Sequence, residues 1–120
     1  MPTRHVVLIG SMGAGKTTIG DRVARALGRP LVDSDQVLAD EGPDAAVIAQ
    51  TEGVAELHDR ECRQLRAALA SPEPAVVAAA ASIVEAPACR SALDGHAVVW
   101  LHVDPDVAAS RVAAARREAG

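Results

Sequence analysis

The sequence predicts an α/β fold in which helices cover both faces of a parallel sheet. Four apolar runs rich in valine, leucine, isoleucine and alanine are typical of strands that are buried on both faces. Helical segments separate these runs, and strands that alternate with helices form parallel βαβ units. With 120 residues and 49% apolar side chains, the chain can bury a core of ordinary size, so we expect a single domain over residues 1–120.

The first half of the chain carries two predicted strands. The elements are a strand at 6–9, a helix at 16–27, a strand at 31–32, a short helix from Asp44 through Gln50, and a longer helix from about 52 to 70. The helix at 16–27 has apolar side chains at helical spacing, and Gly28 ends it.

The second half of the chain contains two further predicted strands, each followed by a helix. The elements are a strand at 75–78, a short helix at 87–93, a strand at 97–103, and a last helix from Asp104 to the C-terminus. Pro105 suits an early helical position because the N–H that proline lacks would have no partner there.

Composition and charge exclude several classes of function. The net charge is −4, no basic stripe is present and Trp100 is the only aromatic residue, which argues against binding of nucleic acid. The longest apolar run, at 74–84, is too short to cross a bilayer. We therefore expect a cytoplasmic protein that binds a small molecule, with neither a nucleic acid nor a membrane as partner.

The two cysteines are predicted to be chemically inert. Cys62 and Cys89 lie far apart in the sequence and form no C-x-x-C motif, which fits a reducing cytosol. We expect two separate, partly buried thiols.

A glycine-rich segment joins the first strand to the first helix. Residues 10–17, GSMGAGKT, match the pattern G-x-x-x-x-G-K-[ST] at every fixed position. Glycines let consecutive backbone N–H groups point at phosphate oxygens, and the positive end of the helix dipole adds to the attraction. The pattern predicts an ATP-binding loop, and the competing interpretation is a strand-to-helix turn that binds nothing. The predicted nucleotide contacts are Gly13, Ala14, Gly15, Lys16, Thr17 and Thr18.

Two side chains of this loop carry the predicted chemistry. The chain has eleven arginines but a single lysine, Lys16, which can reach the β- and γ-phosphates as a compact charge. Thr17 can offer its hydroxyl to Mg²⁺.

A pair of aspartates, Asp33 and Asp35, follows the second predicted strand. In an open parallel sheet, ligands bind beyond the carboxyl ends of the strands, so both carboxylates are expected on the same edge as the glycine-rich loop. A carboxylate there can hold Mg²⁺ or orient a substrate hydroxyl. The alternative is that the pair caps a helix N-terminus, where aspartate is favoured.

The segment GSMGAGKTTIG at 10–20, followed at this distance by Asp-Ser-Asp, resembles the shikimate kinase family. The resemblance implies a P-loop NTPase-like, three-layer α/β/α fold with about four parallel strands in the order 2-3-1-4. It implies phosphorylation of the 3-hydroxyl of shikimate by ATP with Mg²⁺, on the route to the aromatic amino acids. By this resemblance residues 13–18 hold ATP, Thr17 and Asp33 serve the metal, and Asp35 holds substrate hydroxyls. Lys16, Asp33 and Asp35 are then the catalytic residues, and Arg111 matches an arginine near the adenine.

The sequence departs from the family on the acceptor side. His58 occupies the position of an arginine that pairs with the shikimate carboxylate, and the competing interpretation is an ordinary helix-surface residue. Alanines at 79–81 replace three glycines, so Ala80 and Ala81 would line the acceptor site. If these positions need positive φ, each alanine costs about 1–2 kcal/mol; the alternative is that the strand simply runs on into a turn.

The chain ends at Gly120, before the lid, the last strand and the last helix of the family. Three functions therefore stay open: a shikimate kinase, a kinase for another small polyol such as gluconate, or a nucleotide-binding relative without catalysis. An unpaired fourth strand at the sheet edge predicts a monomer or weak self-association.

Overall fold

A computed structural model describes residues 4–10, 15–42 and 45–102 of the chain. Four parallel strands form one sheet in the order β2-β3-β1-β4, which confirms the predicted fold class. The strands are β1 Val6–Gly10, β2 Leu31–Asp33, β3 Val76–Ala80 and β4 Ala97–Trp100.

Five helices connect and cover these strands within the described part of the chain. They are α1 Lys16–Leu27, α2 Ser34–Glu41, α3 Ala45–Thr51, α4 Val54–Leu69 and α5 Pro87–Ala92, and a 3₁₀ turn spans Ala81–Glu85. The sequence did not predict α2 or the 3₁₀ turn. The predicted helix after Asp104 lies outside the described residues.

Helices pack on both faces of the sheet because alternate strand side chains point to opposite sides. One face forms a core with α4 and α5, and its buried members include Val7, Ile9, Val77, Leu65 and Cys89. The other face packs against α1, and its buried members are Leu8, Val76 and Ala24. The layers are therefore α1, then the sheet, then α4 with α5.

Helix α1 approaches the sheet closely at Gly20. A Cβ built at this glycine would lie 2.9 Å from the Leu31 Cδ1 atom of β2 and 3.4 Å from the Leu8 Cδ1 atom of β1. The missing side chain thus lets α1 lie flat on the first two strands, which fixes the direction from which its N-terminus meets the edge of the sheet.

Two histidines tie together the amino ends of three strands. His5 is fully buried, its Nδ1 atom accepts the Ala75 N–H at 3.1 Å, and its Nε2 atom therefore donates to the Ser71 carbonyl at 3.0 Å. The His5 N–H donates to the His96 Nδ1 atom at 3.0 Å. The bond from the His5 N–H requires a neutral His96 ring, because the His96 Nδ1 atom accepts it.

The histidine network predicts an acid-sensitive fold. Burial lowers the pKa of His96 below the ordinary 6.5, and the nearby His5 and Arg4 lower it further. The unfolded chain then binds a proton at higher pH than the folded chain, so the contribution of His96 to stability is complete above pH 6.5 and decreases as the pH falls through the lowered pKa. We expect the urea midpoint to fall over this window, and to fall less in His96→Gln.

The difference in urea midpoint between the wild type and His96→Gln isolates the contribution of His96, because both proteins contain the same carboxylates. Glutamine keeps an acceptor oxygen but does not titrate. Parallel slopes of urea midpoint against pH in the two proteins would show that His96 plays no part in the acid sensitivity.

The prediction of two separate thiols is wrong, because Cys62 of α4 and Cys89 of α5 are joined in a disulfide. Their Cα atoms lie 5.8 Å apart although 27 residues separate them in sequence. The chain passes through β3 between the two helices and brings α5 back against α4, a proximity that sequence spacing does not reveal.

Strand β4 lies at one edge of the described sheet, where it pairs with β1. Its Val98, Val99 and Trp100 side chains are 43–51% exposed. Self-association through this edge stays a prediction. Within the described ranges, no helix is both long and apolar enough to span a membrane.

Candidate active site

The predicted functional residues meet where the parallel strands end. Gly10, the last residue of β1, lies beside Ala80 of β3, and Asp33, the last residue of β2, lies beside Ala78. This register brings the residues that follow β1, β2 and β3 to one edge of the sheet, as expected for ligand sites in open parallel sheets.

The start of α1 supplies one wall of the site. Gly15 precedes the helix with φ of 90°, a left-handed conformation that disfavours any residue with a Cβ. Lys16, the first helical residue, extends its Nζ atom across the ends of the strands and donates to the Ala79 carbonyl at 3.2 Å. The single lysine of the chain therefore lies over the carboxyl end of β3.

Thr17 and Asp33 join α1 to the end of β2. The Thr17 hydroxyl donates to the Asp33 Oδ2 atom at 3.0 Å; Thr17 is exposed and Asp33 is half-buried. The Asp33 Oδ1 atom accepts the Gln36 N–H at 3.4 Å, in the position of an N-cap for α2. The helix-cap interpretation of this aspartate therefore fits the structure, and its role toward a metal stays a prediction.

Hard oxygen ligands of this kind suit Mg²⁺. This ion commonly binds one or two protein groups together with water and substrate phosphates. A hydroxyl and a carboxylate 3.0 Å apart can therefore supply the protein ligands of such a site. Within the described ranges, no group of three or more His, Cys, Asp or Glu side chains is placed to hold a metal ion.

Helix α4 forms the opposite wall. It runs antiparallel to β3, so its first turns lie at the same edge as Lys16. Half-buried His58 lies one turn before Glu61, whose side chain is 6% exposed. The Ser82 hydroxyl, just beyond β3, donates to the Glu61 Oε1 atom at 3.1 Å.

Comparison with known proteins identifies the family. Residues 12–119 match the sequence model described as shikimate kinase. The chain belongs to the shikimate kinase family. It is 43% identical to the shikimate kinase of Mycobacterium marinum over 98 residues, which are 81% of this chain and 53% of that protein. It is 41% identical to the shikimate kinase of Burkholderia pseudomallei over 106 residues, which are 87% of this chain and 57% of that protein.

Solved structures show the same relationship. Shikimate kinase from Acinetobacter baumannii, in complex with shikimate, superposes with a TM-score of 0.84 at 28% identity, covering 95% of this chain and 64% of that one. A gluconokinase from Sinorhizobium meliloti superposes with a TM-score of 0.64 at 28% identity, covering 92% of this chain and 63% of that one. The chain spans about half the length of the curated relatives that it matches.

The alanines that stand in place of the family's glycines are not strained. Ala80 has φ of −67° and ψ of 146°, an extended conformation open to any residue. Positive φ is confined to glycines among the residues that the structure describes. The expected cost of about 1–2 kcal/mol per alanine therefore does not apply, and β3 runs directly into the 3₁₀ turn.

Arg60 does not substitute for the family arginine at position 58. Its guanidinium binds the Glu52 carboxylate at 2.8 Å and the Glu56 carboxylate at 3.1 Å. A helix advances 100° per residue, so Arg60 lies about 200° around α4 from position 58. A cavity of about 550 Å³ opens there between α2, α3 and α4. Its lining residues include Arg60, Arg63 and Ile48.

Several predicted residues have no described side-chain placement. Asp35 is the second residue of α2, but its side chain lies outside the described part of the structure. Gly13, Ala14 and Arg111 also lie outside the described residues, whereas Thr18 lies on the exposed side of α1. Their roles stay predictions.

Glu61 and Ser82 were missed by the sequence analysis. The helical spacing of three residues between His58 and Glu61 was the available signal for Glu61, because it places both on one face of α4. No sequence signal pairs Ser82 with a residue 21 positions earlier.

We expect Ser82→Ala to destabilise the fold by about 1–3 kcal/mol, because it removes a donor from a carboxylate that is almost fully buried. Ser91→Ala is the matched control, since its hydroxyl is exposed and donates only to the Pro87 carbonyl of its own helix. Chemical denaturation measures both changes. Equal stability of the Ser82 and Ser91 variants would show that the Glu61 contact contributes nothing.

Proposed function

We propose that the protein transfers the γ-phosphoryl group of ATP to a hydroxyl group of shikimate in the presence of Mg²⁺. The contact of Thr17 with Asp33, beside the Lys16 ammonium, is the observation that carries the proposal. It unites a cation for phosphate oxygens and two oxygen ligands for a metal at one edge of the sheet. Membership of the shikimate kinase family supports the choice of reaction.

The nucleotide binds at the N-terminus of α1. The loop at residues 13–18 surrounds the phosphates, and its backbone N–H groups together with the helix dipole favour their negative charge. Lys16 exchanges the Ala79 carbonyl for the β- and γ-phosphates, which are stronger acceptors because they are charged. The family resemblance assigns Arg111 to the adenine.

Thr17 and Asp33 hold the metal. When bound there, Mg²⁺ neutralises charge that develops on the phosphate oxygens. Asp33 is already fixed by the Thr17 hydroxyl and the Gln36 N–H, so its carboxylate does not have to be ordered when the nucleotide arrives.

The acceptor lies between the end of β3 and α4. Asp35 orients the attacking hydroxyl and receives its proton. Ala80, with its extended backbone, and Ala81, the first residue of the 3₁₀ turn, form the floor. His58 is assigned to the acceptor carboxylate, because it occupies the position of the family arginine. Phosphoryl transfer depends mainly on such positioning and on charge stabilisation.

Shikimate is favoured over gluconate by the comparison of structures. The shikimate kinase complexed with shikimate superposes with a TM-score of 0.84, against 0.64 for the gluconokinase, at the same 28% identity. The higher score reflects a closer match of the whole backbone, which supports the reaction of the shikimate kinase over that of the gluconokinase.

The test is direct detection of the product. The protein is incubated with Mg²⁺, shikimate and ATP labelled in the γ-phosphate, and the label is followed into shikimate by chromatography. We expect labelled shikimate phosphate in the wild-type protein and about 10²–10³-fold slower labelling in Lys16→Ala. A parallel incubation with gluconate should give little or no labelled product.

Two other outcomes of the labelling experiment would favour a different function. Binding of ATP without transfer to either acceptor would contradict catalysis and favour the nucleotide-binding relative. Preferred labelling of gluconate would replace the proposed acceptor but keep the kinase. Calorimetric titration with ATP in the same buffer separates these outcomes from failure to bind nucleotide.

A further inference from the structure

We propose that Cys62 and Cys89 form a site of reversible thiol–disulfide exchange with a small-molecule disulfide of the glutathione class. The proposal concerns the packing of α4 against α5 and does not depend on the reaction at the edge of the sheet. It replaces the expectation of two inert thiols.

The geometry of the backbone suits a bridge that opens and closes in place. The two Cα atoms lie 5.8 Å apart, within the ordinary range of 4.4–6.8 Å. One turn further along α4, the Arg66 guanidinium donates to the Ala88 carbonyl of α5 at 3.0 Å. This second link keeps α5 against α4 when the bridge is absent, so the reduced thiols stay side by side.

The two sulfur atoms differ in access. Cys89 is 1% exposed and belongs to the core cluster beneath α4, whereas Cys62 is partly exposed at the rim of that cluster. An external thiol or disulfide therefore meets Cys62 first. Cys89 is reached from Cys62, from inside the protein.

The exchange follows from this asymmetry in two balanced steps. The Cys62 thiol loses its proton to solvent, and the thiolate attacks glutathione disulfide, forming a mixed disulfide and releasing one glutathione thiolate. The Cys89 thiolate, after losing its own proton, displaces the second glutathione thiolate and closes the bridge. Two protein thiols are oxidised, and one glutathione disulfide is reduced to two glutathione molecules.

Disulfide formation joins α4 to α5, next to the proposed acceptor site. Cys62 directly follows Glu61, whose carboxylate accepts the Ser82 hydroxyl of the 3₁₀ turn. The bridge closes a loop of 27 residues that contains β3 and this turn. The oxidised form should therefore unfold at a higher temperature, by about 10 °C, because the loop constrains the unfolded chain.

The first experiment equilibrates the wild-type chain with mixtures of reduced and oxidised glutathione near pH 8. Intact mass spectrometry after acid quenching counts free thiols and bound glutathione. We expect conversion from two thiols to one internal disulfide as the oxidised fraction rises, and full return when it falls. Two free thiols at every ratio would overturn the proposal, as would a bridge that never opens under excess reduced glutathione.

Single-cysteine variants test the order of the steps. Cys89→Ser should accumulate one stable glutathione adduct on Cys62, because the resolving thiol is missing. Cys62→Ser should acquire the adduct at least tenfold more slowly, because Cys89 is buried. Equal rates in the two variants, with both folded by circular dichroism, would contradict the assigned order.

Thermal unfolding provides a readout that does not need either variant to react. Oxidised and reduced wild-type protein should differ by about 10 °C, and the same two buffers should leave the melting temperature of Cys62→Ser unchanged. Identical melting temperatures for the two wild-type forms, with the bridge confirmed by mass, would show that closure does not constrain the fold.

Discussion

Replacing Lys16 by alanine is expected to lower kcat for phosphoryl transfer by about 10²–10³-fold. The Nζ atom is the only lysine ammonium of the chain and already lies over the carboxyl end of β3, where the γ-phosphate is proposed to bind. Its charge is most valuable when negative charge spreads over the transferred group, so kcat should fall more than KM for ATP rises.

Lys16→Arg is the informative companion. It retains the charge but replaces a compact ammonium by a planar guanidinium, so we expect activity between that of the wild type and that of the alanine variant. Thermal unfolding checks that the three proteins are equally folded, because the alanine variant also loses the bond to the Ala79 carbonyl. If Lys16→Ala kept a kcat within tenfold of the wild-type value, Lys16 would not take part in phosphoryl transfer.

Replacing Asp33 by asparagine should reduce kcat at saturating ATP by about 10²-fold and weaken the response to Mg²⁺. Asparagine removes the negative charge that the metal requires. It caps helices as well as aspartate does, so the contact with the Gln36 N–H and the start of α2 survive. The loss should therefore appear as catalysis and metal dependence, not as unfolding.

Asp40→Asn is the matched control for Asp33. Asp40 lies on α2, the helix that directly follows Asp33. It is exposed and accepts the side-chain N–H of Gln36 one turn earlier. It loses the same charge away from Thr17, so activity and the Mg²⁺ titration should match the wild type. An equal response of the two variants to Mg²⁺ would show that the net charge of α2, and not the position of Asp33, governs the effect.

The loop side of the site was predictable because local chemistry determines it. A buried strand, a glycine with φ of 90° and the first turn of α1 fix Lys16 and Thr17 within a dozen residues. The aspartate pair at 33 and 35 follows the next strand, so parallel topology alone brings Asp33 to Thr17. Both the predicted fold and the contact at 3.0 Å follow from such short-range rules.

The acceptor side depends on contacts that sequence does not express. Helix α2 was missed because its Val37 and Leu38 give too short an apolar pattern to distinguish a helix from a loop. The bond from Ser82 to Glu61 and the bridge from Cys62 to Cys89 join residues 21 and 27 positions apart. These pairs arise only when β3 carries the chain past α4.

The alanines at 79–81 illustrate the limit of reasoning from glycines alone. A run of three glycines suggests positive φ, yet Ala80 is extended at φ of −67°. A position can require glycine because a side chain would not fit or because its φ is positive. Only the structure distinguishes these two reasons. Here the alanines follow β3 without straining the backbone.

A crystal structure with Mg²⁺ and a non-hydrolysable ATP analogue tests the central claim most directly. We expect the Lys16 Nζ atom to leave the Ala79 carbonyl and lie about 2.7–3.2 Å from a terminal phosphate oxygen. The metal should bind the Thr17 hydroxyl, with the Asp33 carboxylate beside it. A triphosphate bound away from the N-terminus of α1, with Lys16 still on Ala79, would contradict the account.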